Sequence, residues 1–254
     1  MISIKNTENL VGVTISGDFD DLYNLVEAFH DITIGEYSDK HQDYIEMSTR
    51  VLGICYDIRH AYQGDRDIKL VDNNMNEETM RWHSIITPQN NVYYSCNCLY
   101  PEMFFGMLAL NALIELRAKD LAKSRYYNPA DRRVIWDSTI ATIRSFQAEF
   151  VRCVKETLSV ATFSRWLKVM NGDYIGIQCI AGQYVDLLNK KYLAMTKEKR
   201  LKSLSTIAKQ IAEYWNYEDH QEIKEVVVTA AKERGCPEGA IQLKGIDYPD
   251  EVIW

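Results

Sequence analysis

From Pro101 to about Gly235 the chain carries helical periodicity almost without interruption, and this limits the fold more than any other feature. Any sheet must come from the first hundred residues. Pro101 suits the first turn of a helix running to about Lys123. That helix contains the most apolar run of the chain, Met103 to Ile114, which Gly106 and Asn111 interrupt. The run is too short to span a bilayer, so it reads as a core helix and excludes a membrane role. Asn128-Pro129 marks a break, and Asp131 is placed to cap a long helix reaching the 157–162 region. A further helix ends at Asn171-Gly172. Three more cover Asp173 to Tyr192, Thr196 to Trp215 and Asp219 to Arg234, the last stopped by Gly235-Cys236-Pro237.

The first third alternates differently. Ile2 to Lys5 and Val11 to Ile15 read as strands joined by a turn at Asn6-Thr7-Glu8-Asn9. Asp18 or Asp20 caps a helix carrying Leu22, Leu25, Val26 and Phe29. A long helix from about His41 to Gln63 follows, then a short strand at Ile68 to Val71 and a short helix with Met80 and Trp82. Ser84 to Thr87 and Val92 to Ser95 flank Pro88-Gln89-Asn90-Asn91, which reads as a hairpin. The expected fold is α+β: a small antiparallel N-terminal sheet with crossing helices, followed by a mainly helical C-terminal half. Residues 1–100 form the sheet region and 101–254 the helical region, packed as one unit. In the tail, Ala240 to Leu243 suits an edge strand, and Val252-Ile253-Trp254 suits docking onto the domain or a partner.

The densest polar segment is Tyr56-Asp57-Ile58-Arg59-His60-Ala61-Tyr62-Gln63-Gly64-Asp65-Arg66. On the helix before it, Tyr44, Met47, Val51, Ile54, Cys55, Ile58 and Tyr62 share one arc, and Glu46, Arg50, Asp57 and His60 the opposite one. Arg59 falls on the flank of the buried arc and needs an acid, Asp65 or another, to receive it. Two readings stand side by side. Asp57, Arg59 and His60 are candidate catalytic residues, a carboxylate, a cation and a proton carrier facing a cleft, with Tyr62, Asp65 and Arg66 as binding groups. Alternatively, Arg59 and His60 complement the helix dipole while Gly64 ends the helix. The second explanation is the cheaper.

Glu27 with His30, and Asp57 with His60, each put a carboxylate and an imidazole three residues apart on a helix. Joined by acids such as Glu115 and Glu149, these four would form the ligand set of a divalent metal in a helical bundle. Against it, i, i+3 acid–histidine pairs also arise as surface ion pairs. Cys96-Asn97-Cys98 puts two thiols on one strand face, without the second ligand pair of a zinc site, and reads as two small residues packed under a helix. Six cysteines without disulfide-framework spacing point to a reducing cytoplasm. The net charge of −7 opposes nucleic-acid binding, despite basic residues between Lys190 and Lys202. There is no P-loop, G-x-S-x-G or G-x-G-x-x-G.

The opening Ile2 to Asp18 and the stretch Gly53 to Arg66 resemble a bacterial domain family of unknown function, and the likeness runs through Tyr100. It implies a bacterial cytoplasmic protein and carries over no catalytic residue. With 16 tyrosines, favoured where surfaces meet, the chain is expected to be a binding or protein-interaction module that self-associates. An enzyme with its site at Asp57, Arg59 and His60, joined by Glu27 and His30, is the alternative.

Overall fold

The computed structural model describes residues 1–171, 179–245 and 252–254. Four antiparallel strands, β1 (Ser3–Asn6), β2 (Gly12–Gly17), β3 (Asp67–Asp72) and β4 (Asn90–Leu99), lie in the order β1-β2-β4-β3. In β2 the pattern buries Val13 and Ile15 while Thr14 and Ser16 stay half-exposed. The register sets Cys98 opposite Val13 and Cys96 opposite Ile15, so both thiols join the inner face. That face is apolar because helices cover it; the outer face is polar and carries a Thr14 Oγ1 to Asn97 Oδ1 hydrogen bond of 2.7 Å.

The covering helices are α1 (Phe19–Ile32), α2 (Ile45–His60) and α4 (Tyr100–Ala122). Asp18 caps α1 through a capping box with Asp21. Helix α2 continues through a π-helical turn at Ala61–Asp65, where Gly64 adopts φ 90° and turns the chain into β3. Pro101 sits in the first turn of α4, and Gly106 there lets the Ile54 side chain of α2 approach. Helices α3 (Glu77–His83), α5 (Arg132–Ile135), α6 (Ser138–Thr157), α7 (Val160–Met170), α8 (Cys179–Leu193), α9 (Lys197–Ala212) and α10 (Glu218–Arg234) complete the chain. A single apolar cluster runs from Ile4 on β1 through Phe29, Phe104, Phe150 and Trp166 to Leu204 and Val227.

Three expectations need correction. Ser84–Thr87 forms no strand, and Ser84 instead takes a left-handed φ of 55° as the C-cap of α3. Pro88–Asn91 is no hairpin turn either: Asn90 and Asn91 already belong to β4, which pairs with β3 and β2. Asp131 caps only the short α5, and Asp137 caps the long α6, its side chain receiving the Ile140 N–H at 2.8 Å. Residues 240–243 are not an edge strand: Gln183 takes the place of a neighbouring strand, donating to the Ile241 carbonyl at 2.8 Å and accepting from the Leu243 N–H at 3.0 Å. The expected helix start at Asp173 lies outside the described residues.

Long-range hydrogen bonds hold the β1–β2 turn to the helical half. Leu10 adopts a left-handed φ of 52°, and its carbonyl accepts the Tyr192 hydroxyl at 2.8 Å. Arg200, 9% exposed, donates to the carbonyls of Asn9, Leu193 and Tyr192 at 2.9, 2.8 and 3.3 Å. Its charge is thus spread over carbonyl dipoles.

Candidate functional site

Where β4 passes α2 and α4, the sheet and helices part around a cleft of about 820 Å³. That volume falls in the usual range for small-ligand pockets. Helix α2 contributes Arg50, Gly53, Ile54 and Asp57, β4 contributes Ser95 to Leu99, and α4 and α8 contribute Glu102 and Asp186. The arc of α2 opposite its apolar stripe is therefore a cleft wall, because α8 folds back across it. Val252 and Trp254 close one side, and the Trp254 main-chain oxygen accepts from Asn9 Nδ2 at 3.0 Å. The apolar C-terminal residues dock onto the chain itself, as their composition suggests.

At one end of the cleft Arg50 is the hub of a charge network. Its guanidinium pairs with Glu102, donates to Asp186 Oδ1 at 2.8 Å and donates to the Gly182 carbonyl at 2.8 Å. Asn189 Nδ2 donates to Glu102 at 2.6 Å. Burial works against the Arg50 charge, but the Glu102 and Asp186 carboxylates outweigh it and hold its pKa above the ordinary guanidinium value. The network ties three helices together.

At the other end Arg66 donates to Asp57 Oδ1 at 2.9 Å. Asp67, beside them, has no ion-pair partner among the described residues. Between the two ends lie the thiols. Burial, then the Asp57 carboxylate, pushes Cys96 up to about 12, and burial with Glu102 pushes Cys98 well above the ordinary thiol value. Both are protonated at neutral pH and are poor nucleophiles. Iodoacetamide at pH 8 is accordingly expected to leave Cys96 and Cys98 unmodified in native protein and to label them after denaturation. Peptide mass spectrometry reads the difference, and fast native labelling of Cys96 would refute the assignment.

Of the residues singled out from sequence, Asp57 and Arg66 line this cleft, while Arg59, His60, Tyr62 and Asp65 do not. Asp65 is taken by His60, whose Nδ1 lies 2.8 Å away, so it does not receive Arg59. Arg59 instead stacks over the Tyr56 ring at 5.4 Å, and its Nε, buried, has no hydrogen-bond partner among the described residues. Tyr62 packs on Phe19 and Tyr23 of α1. Glu27 and His30 are exposed on α1, with His30 Nε2 3.9 Å from Cys55 Sγ. Glu115 and Glu149 pair with Lys119 and Arg152 of their own helices. Among the described residues no group of three or more His, Cys, Asp or Glu side chains converges as a metal would require. In the Lys190–Lys202 stretch, Arg200 points inward and Lys191 pairs with Asp219 at 2.6 Å, which breaks up the basic run.

Sequence reasoning placed Arg50 on the correct arc but did not select it, nor Glu102 or Asp186. Their signal, an arginine on α2 and acids on two later helices, is invisible without the packing of α8.

A model of the domain of unknown function DUF6904 matches residues 2–254. The chain belongs to the DUF6904 family. The match covers both the sheet and the helices, so the cleft lies wholly within the family's domain. No curated protein and no solved structure matches this DUF6904 chain. No helix among its described residues is long and apolar enough to cross a membrane.

Proposed function

We propose that this DUF6904 chain is a binding module whose ligand, a small organic cation, enters the cleft between β4, α2 and α4. The charge balance of the lining carries the reading. Among the described lining residues, four carboxylates, Asp57, Asp67, Glu102 and Asp186, face two guanidiniums, Arg50 and Arg66. Asp57 holds Arg66, and Asp67 beside them has no ion-pair partner among the described residues, so negative charge remains over at that end. Protonated thiols, Ile54 and Leu99 supply an apolar floor. Trp254 is the aromatic wall on which a cation gains about 0.5–2 kcal/mol. Low-dielectric walls strengthen this attraction relative to the open surface.

Free thiols at Cys55, Cys96, Cys98, Cys153 and Cys236 support a reducing, cytoplasmic setting, in keeping with the bacterial origin that the sequence resemblance implies. No observation favours the enzyme alternative: Asp57 is held by Arg66, His60 by Asp65, and Arg59 lies off the cleft.

The test is thermal unfolding with spermidine or citrate as probe, on wild type and Asp57→Asn. A ligand at a hundred times its Kd adds about 2.7 kcal/mol, or roughly 5–10 °C in a domain of this size. Spermidine is expected to produce such a shift and Asp57→Asn to remove most of it. Equal shifts in both proteins, or stabilisation by citrate alone, would sink the reading.

A further inference from the structure

The sheet has two edges, and they are treated differently. At β1 the edge is guarded: Asn6 Nδ2 donates to Thr157 Oγ1 of α6 at 2.8 Å, and α6 packs along the strand. At β3 all six residues are exposed, and no helix among the described residues lies on the free side. Of the usual edge defences the strand keeps only its charges, Asp67, Lys69 and Asp72. It contains no proline, and its register with β4 runs without a bulge from Asp67–Ser95 to Asp72–Asn90.

The side chains make the edge more unusual. Ile68 and Leu70 stand on the same sheet face as Tyr94 and Cys96, the face that α1, α2 and α4 cover elsewhere. Here the cover has run out, leaving Ile68 53% and Leu70 64% exposed. Beyond β3 the short α3 buries no residue and carries Trp82 84% exposed. A row of open main-chain groups next to uncovered apolar side chains asks for another strand.

We propose that this strand is β3 of a second copy of the chain, added antiparallel about a two-fold axis normal to the sheet. Such an axis keeps every side chain on its own face, so only residues of the same face can stand opposite each other. With Lys69 on the axis, two like charges meet. With Leu70 on the axis, Ile68 faces Asp72, and with Val71 on it, Leu70 does. With Ile68 on the axis, Ile68 meets its own copy and Asp67 meets Lys69 twice, once on each side. Of these registers it alone sets opposite charges of β3 face to face, and it places Leu70 opposite Arg66. It joins two four-stranded sheets into one of twice the size and continues the apolar inner face across the axis. Asp67 also lines the cleft, so the dimer is read on protein without ligand.

The test is a charge swap read by light scattering after gel filtration at micromolar concentration. Wild type is expected at twice the monomer mass. Lys69→Asp turns both Asp67–Lys69 pairs into like-charge pairs and is expected to weaken the dimer about thirtyfold, giving monomer. The double variant Asp67→Lys/Lys69→Asp restores both pairs with their ends exchanged and is expected to restore the dimer. Circular dichroism on each variant separates loss of pairing from loss of fold. A monomeric wild type, a folded Lys69→Asp that stays dimeric, or a folded double variant that stays monomeric overturns the proposal.

Discussion

Arg50→Met is expected to destabilise the protein by about 3 kcal/mol, measured by urea unfolding, the low end of the cost of breaking a buried ion pair. The low end applies because the pair is not sealed: Arg50, Glu102 and Asp186 keep 18%, 20% and 31% side-chain exposure. What fails is more than one contact. The guanidinium joins α2 to α4 through Glu102 and to α8 through Asp186 and the Gly182 carbonyl. Without it, two carboxylates face each other across the end of the cleft. Adding Glu102→Gln removes one of those charges, so the double variant should recover part of the loss. Such non-additivity is the mark of groups sharing one network. A loss below about 1 kcal/mol in Arg50→Met would show that water satisfies the acids and that the network does not hold the helices.

Gly12→Ala should be costlier still. A Cβ at Gly12 would stand 1.9 Å from the Cys98 carbonyl oxygen and 2.9 Å from the Leu99 Cα. Both are main-chain atoms of the facing strand, so no side chain can turn away. Either β2 and β4 separate where they frame the cleft, or the turn before β2 moves. A loss of at least about 4 kcal/mol, or a Tm lower by about 10 °C, is expected. Gly53→Ala supplies the control. Its added Cβ meets nothing within 4 Å, and alanine in a helix interior is worth about 0.5–1 kcal/mol over glycine. If both substitutions behaved alike, the close approach at Gly12 would not be the cause.

The parts legible in the sequence are those with local causes. Pro101 in the first turn of α4, Thr196 capping α9 and Gly235 ending α10 at φ 63° each act within one helical turn, and each stands where its chemistry puts it. Strand alternation likewise put Cys96 and Cys98 together on the buried face. The candidate site was half legible. Asp57 and Arg66 drew attention because they are close in sequence, and the same proximity drew in His60 and Asp65, which bond to each other away from the cleft. Glu102 and Asp186 escaped notice because their partner on α2 lies 52 and 136 positions away. Periodicity gives the arc a residue occupies, not the helix that will cover it.

The anchoring of the β1–β2 turn has a consequence for the order of events during synthesis. Leu10 holds its left-handed backbone against the Tyr192 hydroxyl, and Arg200 clasps the Asn9 carbonyl. The first hairpin leaves the ribosome on the order of ten seconds before those two side chains exist, at ordinary elongation rates. Until then its turn is unclasped, and β2 also waits for β4. The turn of the N-terminal hairpin is thus fastened late, by α8 and α9, and a chain arrested before α8 would carry all four strands with that turn still unclasped.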